Sequence, residues 1–137
     1  MPVKKVRVPI AVKVLKPGDR AKATAYYNEG VKYSPAQSAA AIAAYNKAIA
    51  ADPTFAKSYY NLAIIYGSTG QTERAMENYE LALVANPNYA DAHCNYALLL
   101  QQQGYIDDAI AHYQVFLRLD PNSPSAFGIR RWLEQNH

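Results

Sequence analysis

The side chains in this sequence that could do chemistry are few and scattered: Cys94, the histidines His93, His112 and His137, and the acid pair Asp107-Asp108. A nucleophile needs its base within hydrogen-bond reach. His93 and Cys94 are adjacent in a segment that reads as helix, so their side chains leave the axis about 100° apart, wrong for a nucleophile and its base. His112 falls on a different helix with no acid in place to orient it, and His137 is terminal. Asp107-Asp108 stands at a helix start, where carboxylates stabilise unsatisfied backbone N–H groups, and that role accounts for the pair without general-acid work. There is no Gly-rich phosphate loop, zinc-ligand spacing or nucleophile elbow. The expectation is a chain that is not an enzyme and carries no metal or cofactor.

Composition narrows the remaining classes. A length of 137 residues, half of them apolar, suits one domain with a packed core. The lone cysteine excludes an intramolecular disulfide and any zinc site built on two or more thiolates. No run approaches the eighteen or so apolar residues of a membrane span, so no membrane insertion is expected. The net charge of +3 is unevenly placed. Residues 1–18 carry Lys4, Lys5, Arg7, Lys13 and Lys16 and no acid, whereas the remaining 119 hold nine Lys or Arg against eleven Asp or Glu. Basicity belongs to a tail rather than to the folded body, which argues against a nucleic-acid partner.

The elements that position these residues emerge from self-similarity. Pro53, Pro87 and Pro121 recur every 34 residues, as do Ala41, Ala75 and Ala109, and Tyr45, Tyr79 and Tyr113; Gly70 and Gly104 keep the same spacing. In the middle copy, Tyr59, Leu62, Ala63 and Tyr66 form one apolar stripe at helical spacing. Gly67 to Gly70 interrupts it, and a second helix follows with Ala75, Met76, Tyr79, Ala82 and Leu83 on one face. Asn86-Pro87 ends that helix, because Pro removes a donor and restricts the residue before it. Each unit therefore reads as a helical hairpin with small Ala63, Ala75 and Ala82 where two backbones approach. One hairpin cannot bury both of its apolar faces; stacked copies can.

These residues resemble the tetratricopeptide repeat family. The pattern runs Tyr59-x-x-Leu62-Ala63-x-x-Tyr66, Gly70, Ala75-Met76-x-x-Tyr79-x-x-Ala82-Leu83 and Pro87. The third copy gives His93-x-x-Tyr96-Ala97-x-x-Leu100, Gly104, Ala109-Ile110-x-x-Tyr113-x-x-Phe116-Leu117 and Pro121. The first gives Tyr26, Gly30, Tyr33, Ala41-Ile42-x-x-Tyr45-x-x-Ala48-Ile49 and Pro53; it is one residue short, and Ser34-Pro35 replaces the Gly turn. The resemblance implies an all-α, right-handed α-solenoid of three hairpins (about 20–53, 54–87 and 88–121) with a capping helix at 124–135, the whole domain covering 19–136.

It also implies which columns line a concave, peptide-binding groove. One is Tyr27, Tyr60 and Cys94; another is Val31, Ile64 and Leu98, extended by Trp132; a third is Asn28, Asn61 and Asn95. Lys57, Asp91, Gln101 and Gln102 fall along the rim. Two roles are open to the Asn column: clamping the N–H and C=O groups of an extended peptide, or bonding to a neighbouring helix. The family's chaperone-binding subgroup places Lys and Asn on the first repeat's groove face, and Lys and Arg on the third's. Here those places hold Tyr27, Val31, Cys94 and Leu98, so the two-carboxylate clamp is absent and binding of acidic chaperone tails is not expected. The groove looks more like that attached to protein-modifying glycosyltransferases.

At the ends, Pro17-Gly18-Asp19 reads as a turn and an N-cap, starting the first helix near Asp19. Upstream, Val6, Val8, Ile10, Val12 and Val14 alternate with Arg7, Pro9, Ala11 and Lys13, which is strand periodicity. Pro9 confines a strand to an edge and no second strand is present to pair with it. Residues 1–18 are therefore expected to be a basic tail, extended or disordered, or else a segment that docks in a groove or on a partner's sheet. After Pro121, Asn122-Ser123-Pro124 reads as a helix start, and Ala126, Phe127 and Leu133 repeat the first-helix pattern. Arg130-Arg131 occupies columns that meet a neighbouring helix in the other copies, as expected for a polar terminal cap.

The function expected is a non-enzymatic interaction module or adaptor, binding an extended or helical segment of a protein partner, in the cytoplasm. The alternatives are a self-assembling scaffold, a homo-oligomer held through tail or groove, and a substrate-recruiting fragment of a larger protein-modifying enzyme.

Overall fold

A computed structural model describes residues 4–10 and 14–137. Seven α-helices form among the described residues: α1 (Arg20–Val31), α2 (Ser38–Ala51), α3 (Ala56–Ser68), α4 (Thr72–Ala85), α5 (Ala90–Gln102), α6 (Ile106–Leu119) and α7 (Ala126–Gln135). A 3₁₀ turn at Pro35–Gln37 precedes α2, and there is no strand among the described residues. The architecture is all-α, and the pairs α1–α2, α3–α4 and α5–α6 are the three hairpins that the 34-residue period predicts. The chain divides into two compact units, Ile10–Pro87 and the remainder, Asn88–His137 together with the first residues of the tail.

In the Ile10–Pro87 unit, Ala63, Ala75 and Ala82 are fully buried, which lets the α3 and α4 backbones come close. Gly70 has φ +78°, a left-handed conformation that side-chain-bearing residues adopt only with strain. It closes α3 with the Gln71 N–H donating to the Tyr66 carbonyl at 2.8 Å, a helix-ending bond five residues back. The first hairpin turns differently. Ser34 caps the 3₁₀ turn, and Gln37 Oε1 accepts from Ser34 N at 3.2 Å and Ser34 Oγ at 3.1 Å.

The start of α1 is fixed by a buried acid. Asp19 caps α1 by accepting from Lys22 N at 3.0 Å, and its own N–H donates to the Ala51 carbonyl at 2.8 Å. Asp52, 1% exposed, accepts from Gly18 N at 3.1 Å, Thr54 N at 3.0 Å and Thr54 Oγ1 at 2.6 Å, and from Arg20 Nε. Burial alone would raise the carboxyl's pKa. The donors of Thr54, Arg20 and Gly18 outweigh it and hold the group well below the ordinary carboxylate range.

The second unit repeats the hairpin logic. Gly104 has φ +86°, and Tyr105 N donates to the Leu100 carbonyl at 2.8 Å. Phe116, standing where the other copies have Ala48 and Ala82, is buried rather than displaced. The first residues of the tail run extended along this hairpin. Lys4 pairs with Asp107 at 3.3 Å, Lys5 Nζ donates to the Gln103 carbonyl at 2.7 Å and lies 4.4 Å from the Tyr105 ring centre, and Arg7 N donates to Asp108 at 2.8 Å. These contacts involve the α5–α6 turn, and they give Asp107 and Asp108 a second role beside their place in the first turn of α6. In the other unit Ile10 N donates to Glu80 at 3.0 Å. Val6 and Val8 remain exposed. The alternating stretch at residues 6–14 forms no strand in its described part, and residues 11–13 lie outside the described residues.

The last helix begins later than its sequence suggests. Pro124 and Ser125 form a turn, Ser123 Oγ accepts from Ser125 N at 3.3 Å, and α7 starts at Ala126. Ala126 and Ile129 are the buried positions, whereas Phe127 is 70% exposed, so the first-helix pattern carries over only in part. Arg130 is exposed and donates to the Pro121 carbonyl at 2.8 Å.

Candidate functional site

The columns expected to face a groove lie on α1, α3 and α5, the first helix of each hairpin. In the Ile10–Pro87 unit, α1 supplies Tyr27, Asn28 and Val31, and α3 supplies Lys57, Tyr60, Asn61 and Ile64. The Tyr27 ring is half-buried, 5.8 Å from Tyr45 and 5.3 Å from Phe55, and Lys57 Nζ stands 6.0 Å from its centre. Tyr60 is half-buried with its ring 6.3 Å from Tyr79. Asn28 is exposed.

Asn61 answers part of the question left open for the Asn column. Its Nδ2 donates to Tyr45 Oη at 3.1 Å, a bond from α3 to α2. Tyr45 is 4% exposed; burial pushes its phenol pKa up, against the Asn61 bond. Tyr45 fits because residue 30 is glycine: a Cβ on Gly30 would stand 2.6 Å from the Tyr45 ring. Beside Gly30, Tyr45, Asn61 and Ile64 opens a cavity of about 410 Å³, walled by the first-hairpin turn and the C-terminal end of α3.

In the second unit, α5 carries Asp91, Cys94, Asn95, Leu98, Gln101 and Gln102. Asp91 and Gln102 are exposed; Cys94, Asn95 and Gln101 are half-buried. Gln101 Oε1 accepts from Tyr113 Oη at 2.8 Å, so this rim residue also ties α5 to α6. Burial, with a smaller contribution from Cys94, pushes the Tyr113 phenol up to about 12. Burial and then Asp91 push the Cys94 thiol up, which disfavours the thiolate a nucleophile would need. Trp132 is half-buried against Tyr113, edge to face at 5.2 Å.

One column stands apart in its exposure. Val31, Ile64 and Leu98 are large apolar residues left 54%, 41% and 45% exposed at equivalent positions of three successive first helices. Scattered apolar side chains on a surface are ordinary, but Val31 and Ile64 share one unit and recur there on successive hairpins, and Leu98 holds the same position in the hairpin of the other unit.

Sequence reasoning missed one pairing. His93 Nδ1 and His112 Nδ1 lie 2.9 Å apart, with His93 only 7% exposed and the Tyr96 ring 4.8 Å from that of His112. The two occupy the hairpin places held by Tyr59 and Asn78 in the second copy, and that correspondence was the available signal. Among the described residues no group of three or more His, Cys, Asp or Glu could hold a metal ion, and no helix is long and apolar enough to cross a membrane.

Three overlapping segments match family descriptions: residues 44–77 a tetratricopeptide repeat, 65–104 a TPR repeat and 90–123 a tetratricopeptide repeat. Among solved structures, the first TPR of Spaghetti (RPAP3) bound to the HSP90 peptide SRMEEVD is similar at 26% identity and TM-score 0.77, covering 86% of this chain and 94% of that one. MamA is similar at 30% identity and TM-score 0.67 over 75% of this chain, which spans 61% of the MamA chain. The Arabidopsis OM64 TPR domain, 18% identical with TM-score 0.75, covering 88% of this chain and all of that one, shares the fold. No curated protein matches the chain.

Proposed function

The chain belongs to the tetratricopeptide repeat family, and on that premise we propose that it is a non-enzymatic module whose first-helix faces hold an extended or helical segment of a partner protein. The exposed column Val31, Ile64 and Leu98 carries this reading, because it is apolar surface repeated once per hairpin on the helices that bear Asn28, Asn61 and Asn95. Asn61 commits Nδ2 to Tyr45 and keeps its carbonyl oxygen as an acceptor for a main-chain N–H. Clamping and helix bonding are thus compatible in one side chain.

The Spaghetti domain binds an acidic peptide. In this chain the family's clamp places hold Tyr27, Val31, Cys94 and Leu98, none of them cationic. The partner segment proposed here is therefore apolar and uncharged where it meets these residues, with Lys57 and Asp91 available at the rim.

The test is selection of binders from a randomised peptide library on the intact protein, followed by affinity measurement on the Ile64→Glu/Leu98→Glu double variant. Both positions are exposed, so the fold should survive, and helicity measured by circular dichroism checks that it does. Loss of tenfold or more in affinity is expected, from stranding apolar side chains against charge. Unchanged affinity in a folded double variant overturns the reading.

A further inference from the structure

We propose that the cavity at the turn of the first hairpin is an anchor pocket for one bulky, uncharged, apolar side chain of the partner segment, of the leucine, methionine, phenylalanine or tryptophan kind. This rests on the reading that the first-helix faces bind a segment, because Asn61 and Ile64 both line the cavity and belong to those faces.

The pocket exists because the first hairpin departs from the repeat pattern. Where the other hairpins end their first helix at Gly70 and Gly104 with positive φ, the first turns through Ser34 to Gln37, and that turn forms one wall. Gly30 lacks the Cβ that would strike Tyr45, so the Tyr45 ring can lie close against α1. The volume of about 410 Å³ equals that of about fourteen liquid waters, room for the ten or so non-hydrogen atoms of an indole side chain. It also lies in the usual range for ligand pockets.

Charge and hydrogen bonding then select the occupant. No Asp, Glu, Lys or Arg lines the cavity. Three of the hydroxyl groups around it donate to protein atoms: Ser68 Oγ to the Ile65 carbonyl at 2.9 Å, Thr69 Oγ1 to the same carbonyl at 3.0 Å, and Ser34 Oγ to Gln37 Oε1 at 3.1 Å. A charged side chain entering here would give up its water and meet no counter-charge. An apolar one would give up only unfavourable hydration.

Two measurements test the pocket and separate it from the face as a whole. In the first, backbone amide shifts are followed as N-acetyl-leucinamide, N-acetyl-tryptophanamide, N-acetyl-aspartamide and N-acetyl-lysinamide are added at equal concentrations. The leucine and tryptophan probes should perturb Ser38, Ala41, Ile65 and Ser68, the charged probes should not, and a plugged Ser68→Trp or Thr69→Trp variant should not respond. In the second, the randomised library is selected on wild type and on both plugged variants, each exposed at the substituted position and checked for its melting curve. One library position should be enriched in bulky apolar residues on wild type only, and replacing that residue by Ala in a selected peptide should weaken binding about 10- to 100-fold. Equal response to charged and apolar probes, or an apolar preference that survives both plugs, overturns the pocket. If library binding depends on Leu98 but no position loses its preference on plugging, the pocket fails and the binding face stands. If the amide probes localise to the cavity but no peptide binds, the face reading fails and the proposed occupant with it.

Discussion

Substituting Gly30 by Ala offers a severe test of the packing described for the first hairpin, because two effects of opposite sign meet there. Gly30 and Gly67 are each the penultimate residue of a helix, α1 and α3, in the same unit. Ala in place of helical Gly ordinarily stabilises by about 0.5–1 kcal/mol, through lower unfolded-state entropy and higher helix propensity. At Gly67 the nearest atom to a new Cβ is the Ala75 Cβ at 3.8 Å, ordinary contact, so that gain should be realised. At Gly30 the Cβ would stand 2.6, 2.9 and 2.9 Å from three atoms of the Tyr45 ring. The ring is buried, borders the cavity and is held by Asn61, so it can yield only by giving up its packing and that bond, at a packing cost of about 1–3 kcal/mol. Loss of the Asn61 hydrogen bond adds about 1 kcal/mol. Set against the propensity gain, Gly30→Ala should destabilise by about 1–3 kcal/mol while Gly67→Ala stabilises. Urea unfolding of both variants, followed by circular dichroism, reads the difference. If Gly30→Ala is as stabilising as Gly67→Ala, the close approach of Tyr45 to α1 is wrong, and the wall of the cavity with it.

The other predictions concern the acid network, the turns and the thiol. Asp52→Asn should cost about 2–3 kcal/mol in denaturant unfolding, since the donors of Gly18, Thr54 and Arg20 lose a charged acceptor. The folded pKa of Asp52 is depressed, so its contribution is complete above the unfolded carboxylate value of about 3.9 and is lost as pH falls below it towards the folded value. Wild-type stability should therefore drop more steeply than that of Asp52→Asn on titration below about pH 4; parallel curves would contradict the network. Gly70→Ala and Gly104→Ala should each destabilise by about 1–2 kcal/mol, because both need φ near +80°, and thermal melts check this. Cys94, its thiol pKa raised by burial and then by Asp91, should react with iodoacetamide at pH 7.5 more slowly than a free cysteine, and alkylation at the free-thiol rate would refute its half-buried setting.

Much of this was legible in the sequence because period carries fold. Pro53, Pro87 and Pro121, with the Ala and Tyr columns, place every hairpin, and small Ala63, Ala75 and Ala82 sit buried between helices as their size requires. What escaped depends on contacts that no local pattern encodes. The docking of Lys4, Lys5 and Arg7 on the α5–α6 hairpin is a pairing across about a hundred residues, and alternation within the tail says only that it is extended. His93 meets His112 through hairpin geometry rather than through spacing along one helix. The start of α7 moved to Ala126 because Ser123 and Pro124 satisfy a turn before the helix begins. Asn61 shows why the Asn column could not be assigned from its type alone: a carboxamide has two ends, and the bond to Tyr45 uses one. The glycine at position 30 was visible in the sequence, but the ring that needs its missing Cβ lies on the next helix.

The most direct test of the central claim is a footprint of a library-selected peptide on the isotopically labelled protein, read from backbone amide shifts. Perturbations concentrated on α1, α3 and α5 around Val31, Ile64 and Leu98, with α2, α4 and α6 quiet at exposed positions such as Val84 and Gln114, are what the account predicts. A footprint centred on the second helices, or on the α5–α6 turn at Gln103 to Asp107 that receives Lys4 and Lys5, would contradict it.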